Sequence, residues 1–265
     1  MVYHDLTQAL GGRVLVLVKD ETMPGEEQAV SERAVAFAKL NRTSVARELA
    51  SLDRYPCDEY PVSVFMAGSP GAGKTEVSRA FIQMMQAGGS CALRIDPDDF
   101  RCYFPEYTGL NSSLFQRGVT TFVERTLDLV YQQRQSFLLD GTLANLDVAR
   151  RNISRALDKE NRSAQIIYVY QRPELAWEFV LAREKKDGRN IPCLEFVRQF
   201  YAAKASVCAL KREFDAALQV DVIIKDIDGG NEDIGIDLSA GEIDGFVNQP
   251  YDHLELERIL NGVPQ

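Results

Sequence analysis

The stretch Gly68-Ser69-Pro70-Gly71-Ala72-Gly73-Lys74-Thr75 decides the fold of this chain. An apolar run precedes it and a helical pattern follows it, which is the strand–loop–helix order of a phosphate-binding loop. Glycines let the backbone N–H groups of such a loop turn around an anion, and the following helix adds the positive end of its dipole. We expect Lys74 to reach the β- and γ-phosphates of a nucleotide and the Thr75 hydroxyl to bind Mg²⁺. The alternative is a glycine-rich turn that binds no nucleotide.

Apolar runs and helical patterns alternate from this loop onward. The runs predict strands at 62–67, 91–95, 136–139, 165–170 and 220–224, and the helical patterns lie at 74–87, 111–134, 145–159, 173–186 and 193–217. Such alternation predicts an α/β fold of the P-loop NTPase, nucleoside-kinase-like type, in which helices flank a parallel sheet. A short strand at 234–238 and a helix at 253–260 form a small C-terminal appendage.

The sequence pattern before the loop indicates a helical N-terminal extension. Residues 26–52 show two amphipathic patterns, which Asn41-Arg42 separates, and the prolines at 56 and 61 mark a boundary. We therefore predict a helical N-terminal region at 1–58 and a main domain at 59–265 that includes the appendage.

Composition narrows the possible partners and the compartment. The net charge of −9 over 265 residues argues against a nucleic-acid partner, which clustered lysines and arginines would bind. The five cysteines form no C-x-x-C pair, which favours idle thiols in a reducing compartment over disulfides or a zinc site. No leader pattern or membrane-length apolar stretch is present, so we expect a cytoplasmic protein with no membrane partner.

Acidic residues follow two of the predicted strands, at the edge where ligands of parallel sheets lie. Asp98 or Asp96 is the candidate to accept the proton of a hydroxyl that attacks the γ-phosphate. Asp140 closes the third strand and is the candidate for holding Mg²⁺ or substrate. Turns and helix starts also favour aspartate, so a structural role is the alternative for each.

A basic segment ends the predicted helix at 173–186. Arg183 and Arg189 flank Gly188, and guanidinium groups on such a turn can close over a transferring phosphoryl group as a lid. The alternative is a solvated helix end whose positive charges favour the helix dipole.

Together these residues resemble the zeta-toxin family of bacterial kinases, which includes UDP-N-acetylglucosamine kinases of toxin–antitoxin systems. The resemblance extends over residues 60–225 and rests on the loop, on Ile95-Asp96-Pro97-Asp98-Asp99-Phe100, on Asp140-Gly141-Thr142 and on the two lid arginines. It implies that Asp98 is the general base and that Arg183 and Arg189 form the lid. On the substrate side it implies Glu124 and Thr142, with which we group Asp96 and Asn145.

The resemblance implies ATP with Mg²⁺ as the phosphoryl donor and a UDP-activated sugar, such as UDP-N-acetylglucosamine, as the acceptor. Such transfer is toxic because it blocks the use of a cell-wall precursor. The chain departs from the family pattern twice, with Asp140 in place of a glutamate and Ala144 in place of an arginine. Two alternatives are a kinase of another small hydroxyl compound and an ATP-dependent regulatory switch without transfer.

The family also implies restraint by a small helical antitoxin that obstructs the ATP site. Residues 1–55 are a candidate antitoxin in cis, and a separate chain in trans is the other possibility. The alternative for residues 1–55 is a structural cap that completes the domain.

Overall fold

A computed structural model describes residues 24–188, 190–225, 230–249 and 251–262. In this part of the chain six strands form one sheet in the order β2-β3-β1-β4-β5-β6. They are β1 (Val62–Ala67), β2 (Ala92–Ile95), β3 (Ser136–Leu139), β4 (Ser163–Tyr170), β5 (Leu218–Lys225) and β6 (Asn231–Gly235). The first five pair in parallel, which confirms the predicted fold class, and β6 is an antiparallel edge strand next to β5.

Helices cover both faces of the sheet. They are α1 (Pro24–Leu49), α2 (Lys74–Ala87), α3 (Gln116–Gln132), α4 (Leu146–Leu157), α5 (Pro173–Asp187), α6 (Cys193–Phe214), α7 (Ala240–Phe246) and α8 (His253–Asn261). Successive side chains of a strand point to opposite faces. Phe65 and Phe137 therefore belong to the larger core, whereas Val64 and Leu138 belong to the smaller core beneath α2. Because both of its faces are covered, the sheet has a central strand, β1, that is largely apolar and almost fully buried.

The register of the central strands aligns their carboxyl ends at one edge of the sheet. Phe65 of β1 and Ile95 of β2 both lie opposite Leu139 of β3. The backbone N–H of Asp140 continues this pairing by donating to the Ile95 carbonyl at 2.8 Å. The acidic residues that follow β2 and β3 are therefore neighbours at one edge of the sheet.

The described part of the N-terminal region, residues 24–58, contains one long helix where two were predicted, and residues 1–23 lie outside the described residues. Asn41 does not interrupt α1, because its side-chain Nδ2 donates to the Phe37 carbonyl one turn earlier, at 2.9 Å. An asparagine that bonds to its own helix in this way is compatible with a helix interior. The prediction of a break at Asn41-Arg42 was therefore wrong, and the helical character of the region is confirmed.

Helix α1 packs directly on α3 and shares the main core. A Cβ atom on Gly118 of α3 would lie 2.8 Å from the Phe104 ring and 3.1 Å from the Ala34 carbonyl of α1. Ala38 and Ala46 of α1 are fully buried in the same cluster as Phe122 of α3. The small residues allow the two helices to approach closely, so α1 is a part of the folded domain.

The C-terminal appendage packs on α6 and includes a helix that the sequence pattern did not indicate. Helix α7 begins with a capping box in which the Ser239 hydroxyl accepts from the Glu242 N–H and the Glu242 carboxylate accepts from the Ser239 N–H. Its seven residues include two glycines, which weaken the periodic signal of a helix. None of the described helices combines the length and apolar character needed to cross a membrane.

The contact at Gly118 predicts a stability defect. We expect Gly118→Val to lower the free energy of unfolding by about 1–3 kcal/mol, because the added methyl groups would push α1 and the Phe104 ring away from α3. Urea unfolding of the full chain measures the difference. Gly241→Ala is the control, since no atom lies within 4 Å of a Cβ at that position in α7. Equal stability of Gly118→Val and the wild type would show that the helices have more room than the structure indicates.

Candidate active site

The glycines of the phosphate loop lie where no side chain can be accommodated. Gly68, Gly71 and Gly73 adopt φ angles of 138°, 74° and 85°. A Cβ atom would lie 2.3 Å from the Val169 carbonyl oxygen at Gly68 and 2.0 Å from the Ala176 carbonyl oxygen at Gly71. The loop backbone is thus held between the end of β4 and the first turns of α5, with an orientation that only glycine allows.

Lys74 begins α2 and reaches back across the loop. Its Nζ donates to the Ser69 carbonyl at 2.6 Å. Burial lowers the pKa of Lys74 to about 8; Arg183 acts in the same direction, whereas the charges of Asp140, Asp98 and Asp96 oppose the shift. The Lys74 ammonium group therefore lies near several charged side chains at the ligand-binding edge of the sheet. The Ser69 Oγ is buried and has no hydrogen-bond partner in the structure, which fits a loop made to receive phosphate oxygens.

A cavity of about 930 Å³ opens in front of this loop. Its volume is at the upper end of those typical of small-molecule sites. Most of the predicted site residues that the structure describes line it, namely Pro70 to Thr75, Asp96, Asp98, Asp140, Thr142 and Arg183. Residues that follow three strands, β1, β2 and β3, and Arg183 of α5 therefore meet around one space, as the strand-end rule predicts.

A second cavity of about 260 Å³ adjoins the first. Pro97, Gln116, Gly141 and Thr142 line both cavities, so the two cavities share this part of their walls. The remaining predicted substrate residues, Glu124 and Asn145, line the second cavity and not the first. The predicted site residues thus fall into two adjacent compartments.

The side chains of Glu124 and Asn145 already have partners within the protein. Glu124 forms ion pairs with Arg155 at 3.2 Å and with Arg151 at 3.5 Å. Asn145 caps α4, and its Oδ1 accepts from the Val148 N–H at 3.1 Å. The cap leaves the side-chain amide nitrogen of Asn145 as a donor for a ligand.

Asp98 lies between two arginines. The Arg101 guanidinium donates to Oδ1 of Asp98, and Nη2 of Arg183 lies 3.4 Å from Oδ2. Arg101 is buried and also donates to the Gln116 side chain at 3.2 Å, which links Asp98 to the start of α3. These contacts place the carboxylate at the mouth of the phosphate loop, within reach of the lid helix.

Asp96 and Asp140 share one partner. Nη2 of Arg94 donates to Oδ2 of Asp96 at 2.6 Å and to Oδ2 of Asp140 at 2.5 Å. Asp96 also caps the 3₁₀ turn at Pro97–Tyr103, because its Oδ1 accepts from the Asp98 N–H at 2.9 Å. Burial and the charge of Asp98 raise the pKa of Asp96, although the Asp98 N–H and Arg94 act in the opposite direction. Asp96 therefore has the structural role that was the alternative for it, as the cap of a turn, and it also lines the cavity.

Helix α5, which carries Arg183 of the predicted lid, ends one residue after the predicted helix. Helix α5 ends at Asp187, and Gly188 follows with φ 71°, which is the left-handed conformation that glycine provides at helix ends. The Arg183 side chain is half exposed at the edge of the larger cavity. Arg189 lies outside the described residues.

Sequence reasoning missed three cations near the loop. Arg94, Arg101 and Lys225 were not predicted, yet Arg101 and Lys225 line the larger cavity and Arg94 bonds to two of its acids. Each had a detectable signal. Arg94 is a charged residue within an apolar strand, Arg101 lies three residues after Asp98, and Lys225 ends a strand at the ligand-binding edge.

The donor set fits magnesium. The Thr75 hydroxyl and the Asp140 carboxylate line the same cavity beside the phosphate loop. Magnesium is commonly bound through one or two carboxylates together with substrate phosphates and waters. Among the described residues, no group of three or more His, Cys, Asp or Glu side chains is arranged so that it could hold a metal ion by itself.

Several solved structures share this fold. One, from the PezAT chromosomal toxin–antitoxin system of the human pathogen Streptococcus pneumoniae, is 16% identical with a TM-score of 0.60, over 88% of this chain and 96% of that chain. A complex of AvrRxo1-ORF1 and -ORF2 with ATP is 16% identical with a TM-score of 0.53, over 83% and 70%. The same pair with sulphate ions is 14% identical with a TM-score of 0.52, over 90% and 86%. At these identities the likeness shows the fold alone.

Sequence comparison gives the family. No curated protein matches the chain. The profile described as zeta toxin matches residues 46–239, which is well over half of the 265 residues and includes the phosphate loop, both acidic strand ends and the lid helix. The chain therefore belongs to the zeta toxin family.

Proposed function

We propose that this protein transfers the γ-phosphoryl group of ATP·Mg²⁺ to a hydroxyl group of a small molecule. The observation that carries the proposal is the presence of two neighbouring cavities that share four lining residues, one lined by the phosphate loop and the other free of it. Asp98 lies next to Pro97, one of the shared lining residues. This arrangement suits a donor in the larger space and an acceptor in the smaller one.

The roles follow from position. Lys74 and the loop N–H groups would hold the donor phosphates, while Thr75 and Asp140 would hold Mg²⁺. When bound, the metal ion neutralises charge on the phosphates. Arg183, with Arg189, would close over the transferring group and exclude water, which limits wasteful hydrolysis.

Asp98 is the proposed general base. It would receive the proton of the acceptor hydroxyl and hold that oxygen in line with the γ-phosphate. The Arg101 contact fixes the carboxylate from the protein side. Asp96 is less suited to this task, because its oxygens are held by the largely buried Arg94 and by the Asp98 backbone N–H, whereas one oxygen of Asp98 faces the half-exposed Arg183.

The family resemblance makes a UDP-activated sugar, such as UDP-N-acetylglucosamine, the first candidate acceptor, with toxicity through loss of a cell-wall precursor. Glu124, Thr142 and Asn145 would contact it in the second cavity. One observation favours another small hydroxyl compound as the second candidate. Among the described residues that line this cavity none is a lysine or arginine, and Ala144 lies in the wall. A pyrophosphate group would find no cation there.

The antitoxin partner also belongs to this proposal. Two structures with a similar fold come from a toxin–antitoxin system and from a complex of two chains, which supports a partner that acts in trans. No residue of α1 lines either cavity. The described part of the N-terminal region, residues 24–55, therefore fits the structural cap better than an antitoxin in cis.

The base assignment predicts a separation of transfer from binding. We expect Asp98→Asn to lower the transfer rate by about 10²–10⁴-fold while ATP binding is retained, because the amide cannot accept the hydroxyl proton. Asp147→Asn is the matched control, since the Asp147 side chain is largely exposed and lines neither cavity. If Asp98→Asn transfers phosphate at the wild-type rate, the base assignment is wrong. If cells that express Asp98→Asn have the same phenotype as cells that express the wild type, a regulatory switch without transfer is supported. Loss of ATP binding in that variant would also contradict the base assignment.

The lowered pKa of Lys74 predicts weaker ATP binding at alkaline pH. With a pKa of about 8 in the free protein, Lys74 is mostly charged at pH 7 and mostly neutral at pH 9. Bound phosphates favour the charged form, so binding at pH 9 must take up a proton. We expect an affinity about tenfold lower at pH 9 than at pH 7, measured by calorimetry. Lys74→Arg keeps its charge and should show a flat profile; an equal decline in that variant would assign the effect to another group.

The acceptor candidates predict different products. Incubation of the protein with ATP and UDP-N-acetylglucosamine should give a mass increase of one phosphate if the first candidate is correct. Uncharged sugars and nucleosides form the comparison set, and Asp98→Asn protein is the no-transfer control. A product from an uncharged acceptor, with none from any UDP-sugar, would replace the first candidate by the second.

A further inference from the structure

Arg94 occupies an unusual place for a charged residue. It lies in β2 between the buried residues Leu93 and Ile95, and its side chain is only 16% exposed. Nε donates to the Ser78 hydroxyl at 3.0 Å, and Nη2 donates to Asp96 at 2.6 Å and to Asp140 at 2.5 Å. One side chain thus joins helix α2 with the ends of strands β2 and β3.

The network determines the orientation of the Asp140 carboxylate. Its Oδ2 accepts from both Arg94 and the Ser78 hydroxyl, the latter at 2.9 Å. Among the described residues, none donates a hydrogen bond to the other oxygen, Oδ1. Ser78 lies one helical turn after Thr75, and its hydroxyl is 3.1 Å from the Thr75 carbonyl. The same contacts therefore connect the two residues that fit Mg²⁺.

From this geometry we propose that Arg94 is a positioning residue for the metal side of the site, an inference that rests on the proposed function. Arg94 and Ser78 hold Oδ2 of Asp140, so that Oδ1 would be available to a metal ion bound together with Thr75. Arg94 acts through Asp140 and does not itself touch the nucleotide. Residues that orient metal ligands in this way typically contribute 10- to 100-fold to metal affinity.

Arginine is required for this task because of its shape. Its guanidinium offers several donors in one plane, and here two of its nitrogens serve three acceptors on three elements. A lysine would keep the positive charge but could not reproduce the fixed fork. Without any cation, the carboxylates of Asp96 and Asp140 would repel each other and turn apart.

The test measures Mg²⁺-dependent ATP binding by the full chain, with no need for transfer. We expect Arg94→Met to raise the Mg²⁺ concentration for half-maximal ATP binding by about tenfold, and Arg94→Lys to raise it by less. Affinity for ATP measured in EDTA should change by less than about twofold, because the loop contacts remain. Arg150→Met, which removes an arginine paired with Glu213 on the surface, is the control and should leave the Mg²⁺ midpoint unchanged.

A double-mutant cycle tests whether Arg94 affects Mg²⁺ binding through Asp140. Asp140→Asn should shift the Mg²⁺ midpoint by itself, and adding Arg94→Met to it should give little further shift, since Arg94 acts through Asp140. Additive shifts would overturn the proposal, and so would a lower unfolding temperature in Arg94→Met with an unchanged midpoint, which indicates a structural ion pair only. If Arg94→Met does not fold, Arg94→Lys and its double mutant with Asp140→Asn provide the same comparison.

The outcome is separable from that of the proposed function. If the wild type transfers phosphate to no acceptor but binds ATP in a Mg²⁺-dependent way, the kinase proposal fails and the Arg94 experiment is still decisive. If ATP binding by the wild type does not depend on Mg²⁺, the positioning role is wrong whatever the enzyme does.

Discussion

The steric confinement of the phosphate loop is the constraint on which the rest of the site depends. Gly68 presses on the end of β4 and Gly71 on the start of α5, with no space for a Cβ atom at either position. N–H groups can converge on an anion only if the backbone that carries them is fixed. Ala176, which Gly71 contacts, belongs to the first turn of α5, and the same helix carries Arg183. The phosphate loop and the helix of the proposed lid are therefore in direct contact.

Charge is arranged around that loop in pairs. Asp98 has Arg101 and Arg183, whereas Asp96 and Asp140 share Arg94. Partly buried carboxylates at one sheet edge would otherwise repel each other, so these pairs make the clustering possible. They also give each acid a defined orientation. Asp98 and Asp140 therefore differ in their partners. Asp98 contacts Arg183 of α5, whereas Asp140 is held by Arg94 of β2.

The sequence was informative wherever a feature depends on neighbouring residues. The loop, the strand ends and the limits of α2 and β3 follow from local patterns, and so does the grouping of Asp96, Asp98 and Asp140 at one edge. Features that depend on distant segments were not predictable. The packing of α1 against α3 joins segments far apart in the chain, and the partners of Glu124 come from α4. The role of Arg94 required the register of β2 against β3.

The packing of α1 on Gly118 bears on how this domain could be transplanted. The family match begins at residue 46, and the sequence pattern placed a boundary near residue 58. The side chains of Ala34 and Ala38 lie before both points and are nevertheless buried in the common core. A chimaera cut at either boundary would carry an open groove along α3 into its new host. The portable unit of this domain therefore includes the whole of α1.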